Sequence, residues 1–358
     1  MNITIFASIW SQNLGDELIL KNEIKILKSK YSKLKNISES EIFFNVFTYD
    51  LEDIFYISEN VKYIEYFPIN IKKITNIFRN IKNFINFIKI TIKSDLIVIW
   101  WGWIFYDNEN QSVWNPLKQW LFRTNICKLF NKKVEFFRVW INIKNNNNLK
   151  YIKKIFSCAT TISVRDNYSF NLLEKLNFKN IELLIDPVFY DKNKLNVQNK
   201  YLINNIKISD LNVQNIKKII KNNNINISWK TVWLSLRDYK IEAFEEKIIE
   251  LIKYFLKKDA EIILIPHSFH KTDKKANDYL FLNKCRDVWK KHLNKIYICK
   301  NIQESYNIYT EKKIDLNLAS RLHSIILSQV YEIDFIAISY STKTDEIISY
   351  LASQNQDI

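Results

Sequence analysis

Glycine is almost missing. Gly15 and Gly102 are the only two in 358 residues, where average usage would give about 25. Strand-to-helix turns in α/β proteins need a residue that takes positive φ and lets an anion approach the backbone amides, so this poverty demands an explanation. Long apolar runs are missing too. The longest, Leu96 to Tyr106, is preceded by Lys89, Lys93 and Asp95 and falls well short of the roughly 20 residues of a spanning helix, so no membrane span is expected. Met1-Asn2-Ile3-Thr4-Ile5-Phe6 lacks a basic leader and a small-residue cleavage site. It reads as a first strand, and the chain is expected in the cytosol. Cys127, Cys158, Cys285 and Cys299 are too scattered for a zinc site and too few for a disulfide framework, and read as core thiols. His267-x-x-His270 with Asp273 is too thin a set to predict a metal.

Tryptophan, by contrast, occurs ten times. Trp10 ends the first apolar run, Trp100, Trp101 and Trp103 surround Gly102, and Trp140 and Trp233 adjoin strand-like runs. These are places that call for glycine. The pattern predicts that many of the indoles stand where the native protein has glycine, from UGA codons read as glycine. Trp120, inside a helix-like stretch, fits as a true tryptophan. The alternative is an aromatic-rich chain whose indoles fill cores or stack on sugars.

A net charge of +15 favours an anionic partner: a phosphate-bearing substrate, an acidic membrane surface or nucleic acid. Nothing resembling a helix-turn-helix or an aromatic RNA-binding strand supports the last. Most of the excess is lysine, read as solvated helix faces. Arginine is the informative cation. Only positions 79, 123, 138, 165, 237, 286 and 321 carry it among 53 basic residues, and its planar fork grips carboxylate or phosphate as an ammonium cannot.

Strand-like runs alternate with amphipathic ones: 3–8, then a helix over 16–30; 42–48, then a helix over 71–90; 96–99, then a helix over 115–130; and 134–141. Ile162 to Asp166 reads as a strand whose Asp166 caps a helix running through Leu176, and Ile181 to Ile185 as a further strand. This alternation predicts an α/β fold with parallel sheets. An Asn/Lys-rich stretch reads as a helical connection over 192–228, separating an N-terminal lobe over 1–191 from a C-terminal lobe over 229–358. Strands are expected there over 231–236, 261–265, 295–299, 314–318 and 335–339.

Several motifs fall on the ends of these strands. Asn13-Leu14-Gly15-Asp16-Glu17 would offer backbone N–H groups and polar side chains at a helix N-terminus, with Asp16 as a plain helix cap the simpler reading. Trp100-Trp101-Gly102-Trp103 leads to Asp107, and Phe137-Arg138-Val139-Trp140 ends another strand. Ser163-Val164-Arg165-Asp166 is followed by Ile185-Asp186-Pro187. Later come Leu234-Ser235-Leu236-Arg237, Ile265-Pro266-His267-Ser268, Ser320-Arg321-Leu322-His323-Ser324 and Ser339-Tyr340-Ser341-Thr342-Lys343.

In this order, over about residues 3 to 350, the motifs resemble the polysaccharide pyruvyl transferase family. Its first loop reads glycine and then Asn-x-Gly-Asp-Glu, with Trp10 on the glycine; its second is a four-glycine loop before an acidic residue; Arg-Leu-His followed by Ser-Tyr-x-x-Lys is its most diagnostic order. The resemblance implies two Rossmann-like lobes around a cleft, the GT-B-like arrangement, with ligands near the carboxyl ends of the strands. It implies transfer of the enolpyruvyl unit of phosphoenolpyruvate to two hydroxyls of a sugar, releasing phosphate and leaving a pyruvyl ketal.

The donor carries a carboxylate and a phosphate, so Arg165, Arg237 and Arg321 are the expected clamps, with Lys343 adding charge. His323 would move a proton, with Arg321 beside it. Asn13, Gly15, Asp16, Gly102, Asp107 and Ser324 would line the substrate. No metal and no cofactor beyond the donor is expected. The acceptor would be a surface polysaccharide or its lipid-linked precursor, and peripheral association with the inner membrane face suits the charge. The competing readings are a GT-B-like glycosyltransferase using a nucleotide sugar and a non-catalytic basic glycan-binding protein.

Overall fold

A computed structural model describes residues 1–7, 12–49, 51, 54–67, 74–100, 105–107, 116–192, 201–239, 241–271, 273–312 and 314–353. They divide into two compact units, 1–11 with 20–186 and 12–19 with 187–358.

The first unit is ordered β1 (Asn2–Phe6), α1 (Leu14–Lys35, its first turns counted with the second unit), β2 (Phe43–Thr48), β3 (Val61–Glu65), α2 (Ile74–Lys93), β4 (Leu96–Trp100), β5 (Phe105–Tyr106), α3 (Pro116–Leu129), β6 (Val134–Val139), β7 (Ile141–Asn142), α4 (Leu149–Phe156), β8 (Ala159–Val164), α5 (Asn167–Lys175) and β9 (Ile181–Leu183). Seven strands form one parallel sheet in the order β3-β2-β1-β4-β6-β8-β9, and β5 pairs with β7. Central β4 reads Leu-Ile-Val-Ile-Trp because every residue in it is buried, as a parallel strand covered on both faces requires. Strand order reverses between β1 and β4, the switch point at which open α/β sheets take ligands. The loops leaving those two strands, with Trp10, Trp101, Gly102 and Trp103, lie outside the described residues.

The second unit continues with β10 (Leu202–Lys207), α6 (Val213–Asn222), β11 (Thr231–Ser235), α7 (Phe244–Leu256), β12 (Glu261–Leu264), α8 (Asp278–Asp287), β13 (Ile296–Ile298), α9 (Ile302–Glu311), β14 (Leu316–Ala319), α10 (Leu322–Val330), β15 (Phe335–Ser339) and α11 (Thr342–Ser353). Its parallel sheet runs β10-β15-β14-β11-β12-β13, so its switch point falls between β11 and β14. Helix α10 is buried along its whole length, and Asn317 of β14 meets its polar residues by donating to the hydroxyls of Ser324 (3.0 Å) and Ser328 (2.8 Å).

The partition differs from the expected one. The last break falls at 186/187, and the stretch expected as a helical connection supplies α6 and the edge strand β10 to the second unit. Half-exposed and carrying Asn204-Asn205, β10 lacks the apolar run that marks a central strand. Likewise β3 and α4 were not expected, while β1, β2, β4, β6 and β8 fall within a few residues of their predicted spans.

Candidate active site

Four parallel strands of the second unit deliver the chemically interesting side chains at their carboxyl ends. Arg237 follows β11, His267 follows β12, Arg321 and His323 follow β14, and Lys343 follows β15. Arg237 and Arg321 thus leave the two strands that flank the switch point.

Arg321 is the N-cap of α10 and its side chain is mostly buried. Its Nε donates to Asp278 Oδ2 at 2.8 Å and its Nη2 to Asp278 Oδ1. The same Oδ2 accepts the backbone N–H groups of His267 and Ser268, each at 3.1 Å. Burial by itself would lower the Arg321 pKa, but the Asp278 carboxylate offsets this and leaves it raised. One edge of the guanidinium is therefore fixed, which aims the rest of the fork.

His267 is buried, and its Nε2 lies 2.9 Å from Tyr309 Oη, which is in turn 2.7 Å from Ser324 Oγ. Burial, then the charges of Arg321 and His323, push its pKa well below the ordinary imidazole value, so it stays neutral and keeps this chain of hydrogen bonds. Ser324, expected at the substrate, is buried with its hydroxyl 2.7 Å from Tyr309 Oη and accepting the Asn317 amide at 3.0 Å. Tyr239 donates to Ser320 Oγ at 2.9 Å, stacks on Tyr340 with ring centroids 4.6 Å apart, and carries the Arg237 guanidinium over its ring at 5.7 Å.

The Asn13-to-Glu17 segment belongs to this unit as well. Asn13 forms a bridge with Ser268, Leu14 N–H donates to His267 O at 2.9 Å, and Phe269 N–H donates to Gln12 O at 2.9 Å. Asn13 serves the start of α1: its Oδ1 accepts Gly15 N–H at 3.1 Å and its carbonyl accepts Glu17 N–H, with Asp16 in the first turn of the helix. A Cβ on Gly15 would lie 2.0 Å from His323 Nδ1. The glycine is there for room and not for φ: the imidazole occupies the space a side chain would take.

The remaining predicted residues lie in the first unit, where their partners are local. Arg165 Nη1 pairs with Asp186 Oδ2 at 2.9 Å, both buried, which joins two motifs twenty-one positions apart. Asp166 caps α5 through Ser169 N–H, as its position predicted. Asp107 accepts Lys144 N–H, Asn145 N–H and the Asn148 amide; burial opposes its charge, yet these bonds hold its pKa below the usual value. Arg138, at φ 51°, donates its N–H to Ser163 Oγ and its Nη1 to Ile185 O. Gly102 lies outside the described residues. Asp278 and Tyr309 escaped sequence reading, because an acid in the first turn after the Asn277 cap looks like ordinary helix chemistry.

Two Rossmann-like α/β units, each built on a parallel sheet, define a GT-B-like fold. Solved structures similar to the chain include UDP-GlcNAc 2-epimerase from Methanocaldococcus jannaschii, at 11% identity and TM-score 0.53 over 100% of this chain and 93% of the other. Another is UDP-GlcNAc 2-epimerase from Neisseria meningitidis, at 10%, 0.51, 98% and 85%. A third is a UGT transferase from Siraitia grosvenorii in complex with UDP, at 9%, 0.50, 99% and 85%. At these identities the likeness is one of fold. No curated protein sequence matches the chain. The polysaccharide pyruvyl transferase family matches residues 13–342, nearly the whole length, and the chain belongs to that family.

Proposed function

We propose that the protein transfers the enolpyruvyl unit of phosphoenolpyruvate to two hydroxyls of a sugar on a polysaccharide or its lipid-linked precursor. The observation that carries this reading is the convergence, in one unit, of Arg321, His323 and the Asn13-to-Asp16 segment at the carboxyl end of β14, with Arg237 leaving the adjacent strand. The N-termini of α1 and α10 meet there, and their positive dipole ends favour an anion.

Arg237, Arg321 and Lys343 would balance the donor's carboxylate and phosphate. His323 would carry the proton between a sugar hydroxyl and the donor methylene carbon. One hydroxyl oxygen adds to the substituted carbon as the methylene becomes a methyl group. The second hydroxyl oxygen then displaces phosphate, which leaves with the second hydroxyl's proton, and the ketal closes. The test is phosphoenolpyruvate-dependent phosphate release with a panel of sugar acceptors, with the ketal methyl followed by NMR. Sugar-nucleotide turnover without phosphoenolpyruvate consumption would overturn the reading in favour of a glycosyltransferase.

We further propose that UGA-encoded tryptophans of this chain are glycine in the native protein. Trp229 sits at φ 62° with its side chain 80% exposed, a backbone state costing a non-glycine residue roughly 1–2 kcal/mol. Trp100 and Trp233 are buried with their indole N–H groups unbonded among the described residues, about 1–3 kcal/mol each. Trp120 behaves differently, packing on Phe105 at 5.7 Å and under the Arg123 guanidinium at 4.7 Å. Peptide masses of the native protein decide the matter, and indole masses at 100, 229 and 233 would end the proposal.

A further inference from the structure

Helix α2 buries one face and leaves a half-exposed apolar arc on the other, at whose edge Phe84 packs on Phe67 (5.2 Å) and Phe122 (6.2 Å). Asn83, Phe87 and Thr91 are buried beneath it. On the other side Ile77 (43% exposed), Phe78 (74%), Ile81 (52%), Phe84 (37%), Ile85 (45%) and Ile92 (47%) face outward. At about 100° per residue these six span one arc of roughly 120°. Monomeric proteins seldom leave so continuous an apolar patch on an ordinary surface.

The border of the arc is basic. Lys82, Lys89 and Lys93 are exposed and, at spacings of seven and four, form one row along its edge. Arg79 lies beyond that row and is engaged by Glu65 in a two-pronged ion pair. The helix contains no aspartate or glutamate. Among the described residues no helix is long and apolar enough to cross a membrane. An apolar arc with a lysine border and no acid, on a helix of 20 residues, has the makeup of a segment that lies in a bilayer interface.

We infer that α2 docks flat on an anionic lipid surface, its isoleucine and phenylalanine arc entering the acyl boundary while Lys82, Lys89 and Lys93 meet phosphate headgroups. Charge complementarity selects this occupant. A second copy of the chain would bring another lysine row against the first, whereas headgroup phosphates neutralise it. The inference stands apart from the reaction proposed above, since none of these residues belongs to the site, and it adds a surface on which a lipid-linked acceptor could be met.

The test is sedimentation of the full chain with vesicles of phosphatidylcholine alone or mixed with phosphatidylglycerol. The chain should partition onto the mixed vesicles, far less onto the neutral ones, and leave them as salt rises. The triple variant Lys82→Glu, Lys89→Glu, Lys93→Glu should lose about a hundredfold in partition. The variant Phe78→Ser, Ile81→Ser, Ile85→Ser should lose at least as much, with thermal melting and far-UV dichroism confirming that both remain folded. Equal binding to neutral and mixed vesicles, or none to either, would overturn the inference. So would a dimer, seen by sedimentation velocity, that the serine variant dissociates, because a second copy would then own the surface.

Discussion

The contact between Gly15 and His323 allows a quantitative prediction for Gly15→Ala. A methyl carbon at position 15 would lie 2.0 Å from His323 Nδ1, 2.5 Å from Cε1 and 2.7 Å from Cγ, where ordinary contact begins at 3.4 Å. The imidazole must therefore move by about 1.4 Å (3.4 − 2.0), or the start of α1 must be pushed off Ser268 and His267. The ring has little freedom, because α10 is buried from Leu322 to Val330. A misplacement of about 1 Å at a reacting group costs on the order of a hundredfold in rate, about 2.7 kcal/mol of barrier. Overpacking of this kind costs roughly 1–3 kcal/mol of stability. Phosphate release at saturating donor and acceptor should thus fall about a hundredfold in Gly15→Ala. The KM for phosphoenolpyruvate should change only a few-fold, since Asp278 still holds Arg321. Urea unfolding, run in parallel, separates lost activity from lost fold. A folded Gly15→Ala protein with kcat within threefold of the parent would refute the placement of His323 at the reacting atoms.

Three further expectations follow from buried charges. Asp278→Ala leaves Arg321 without its buried partner and should cost about 3–5 kcal/mol in urea unfolding, against less than 1 kcal/mol for an exposed pair such as Lys253 with Glu250. Glu23 is wholly buried, which raises its pKa well above 4.5, with the Arg138 charge opposing and Glu135 adding to the rise. Its contribution to stability is complete below about pH 4.5 and is lost as pH climbs through the raised folded value, so Glu23→Gln should melt higher than the parent at pH 8 and match it at pH 4. An equal difference at both pH values would exclude that titration. His267 has a depressed folded pKa, so its contribution is present above pH 6.5 and lost on acidification; His267→Gln should flatten the fall of stability between about pH 7 and 5.

Much of the fold could be read from the chain because its central strands are covered on both faces. Leu96 to Ile99 and Phe335 to Ile338 are uninterrupted apolar runs, and Asp166 announces the start of α5 by capping it. In the edge strand β10 none of the six residues is fully buried, so it carries no such signature. For the site, the Arg-Leu-His motif pointed to β14 and α10, but the company it keeps could not be read. Gly15 and His323 are 308 positions apart (323 − 15), and no periodicity links them. Asp278 is 43 positions before the arginine it clamps, in a context that helix capping already explains. Arg165 pairs through Nη1 with Asp186, a partner twenty-one positions on that the sequence did not link to it. Trp229, in left-handed backbone at φ 62°, is not singled out by the sequence, because no strand-like run precedes it.

A crystal structure of the protein carrying glycine at the tryptophan positions proposed to be recoded, soaked with phosphoenolpyruvate, bears most directly on what the second unit does. The donor should be found beyond the carboxyl ends of β11 and β14, its phosphate and carboxylate within hydrogen-bond reach of Arg237 and Arg321 and its methylene carbon beside the His323 ring. Phosphoenolpyruvate bound away from those three side chains, or a site that takes a nucleotide sugar and leaves phosphoenolpyruvate in solution, would contradict it.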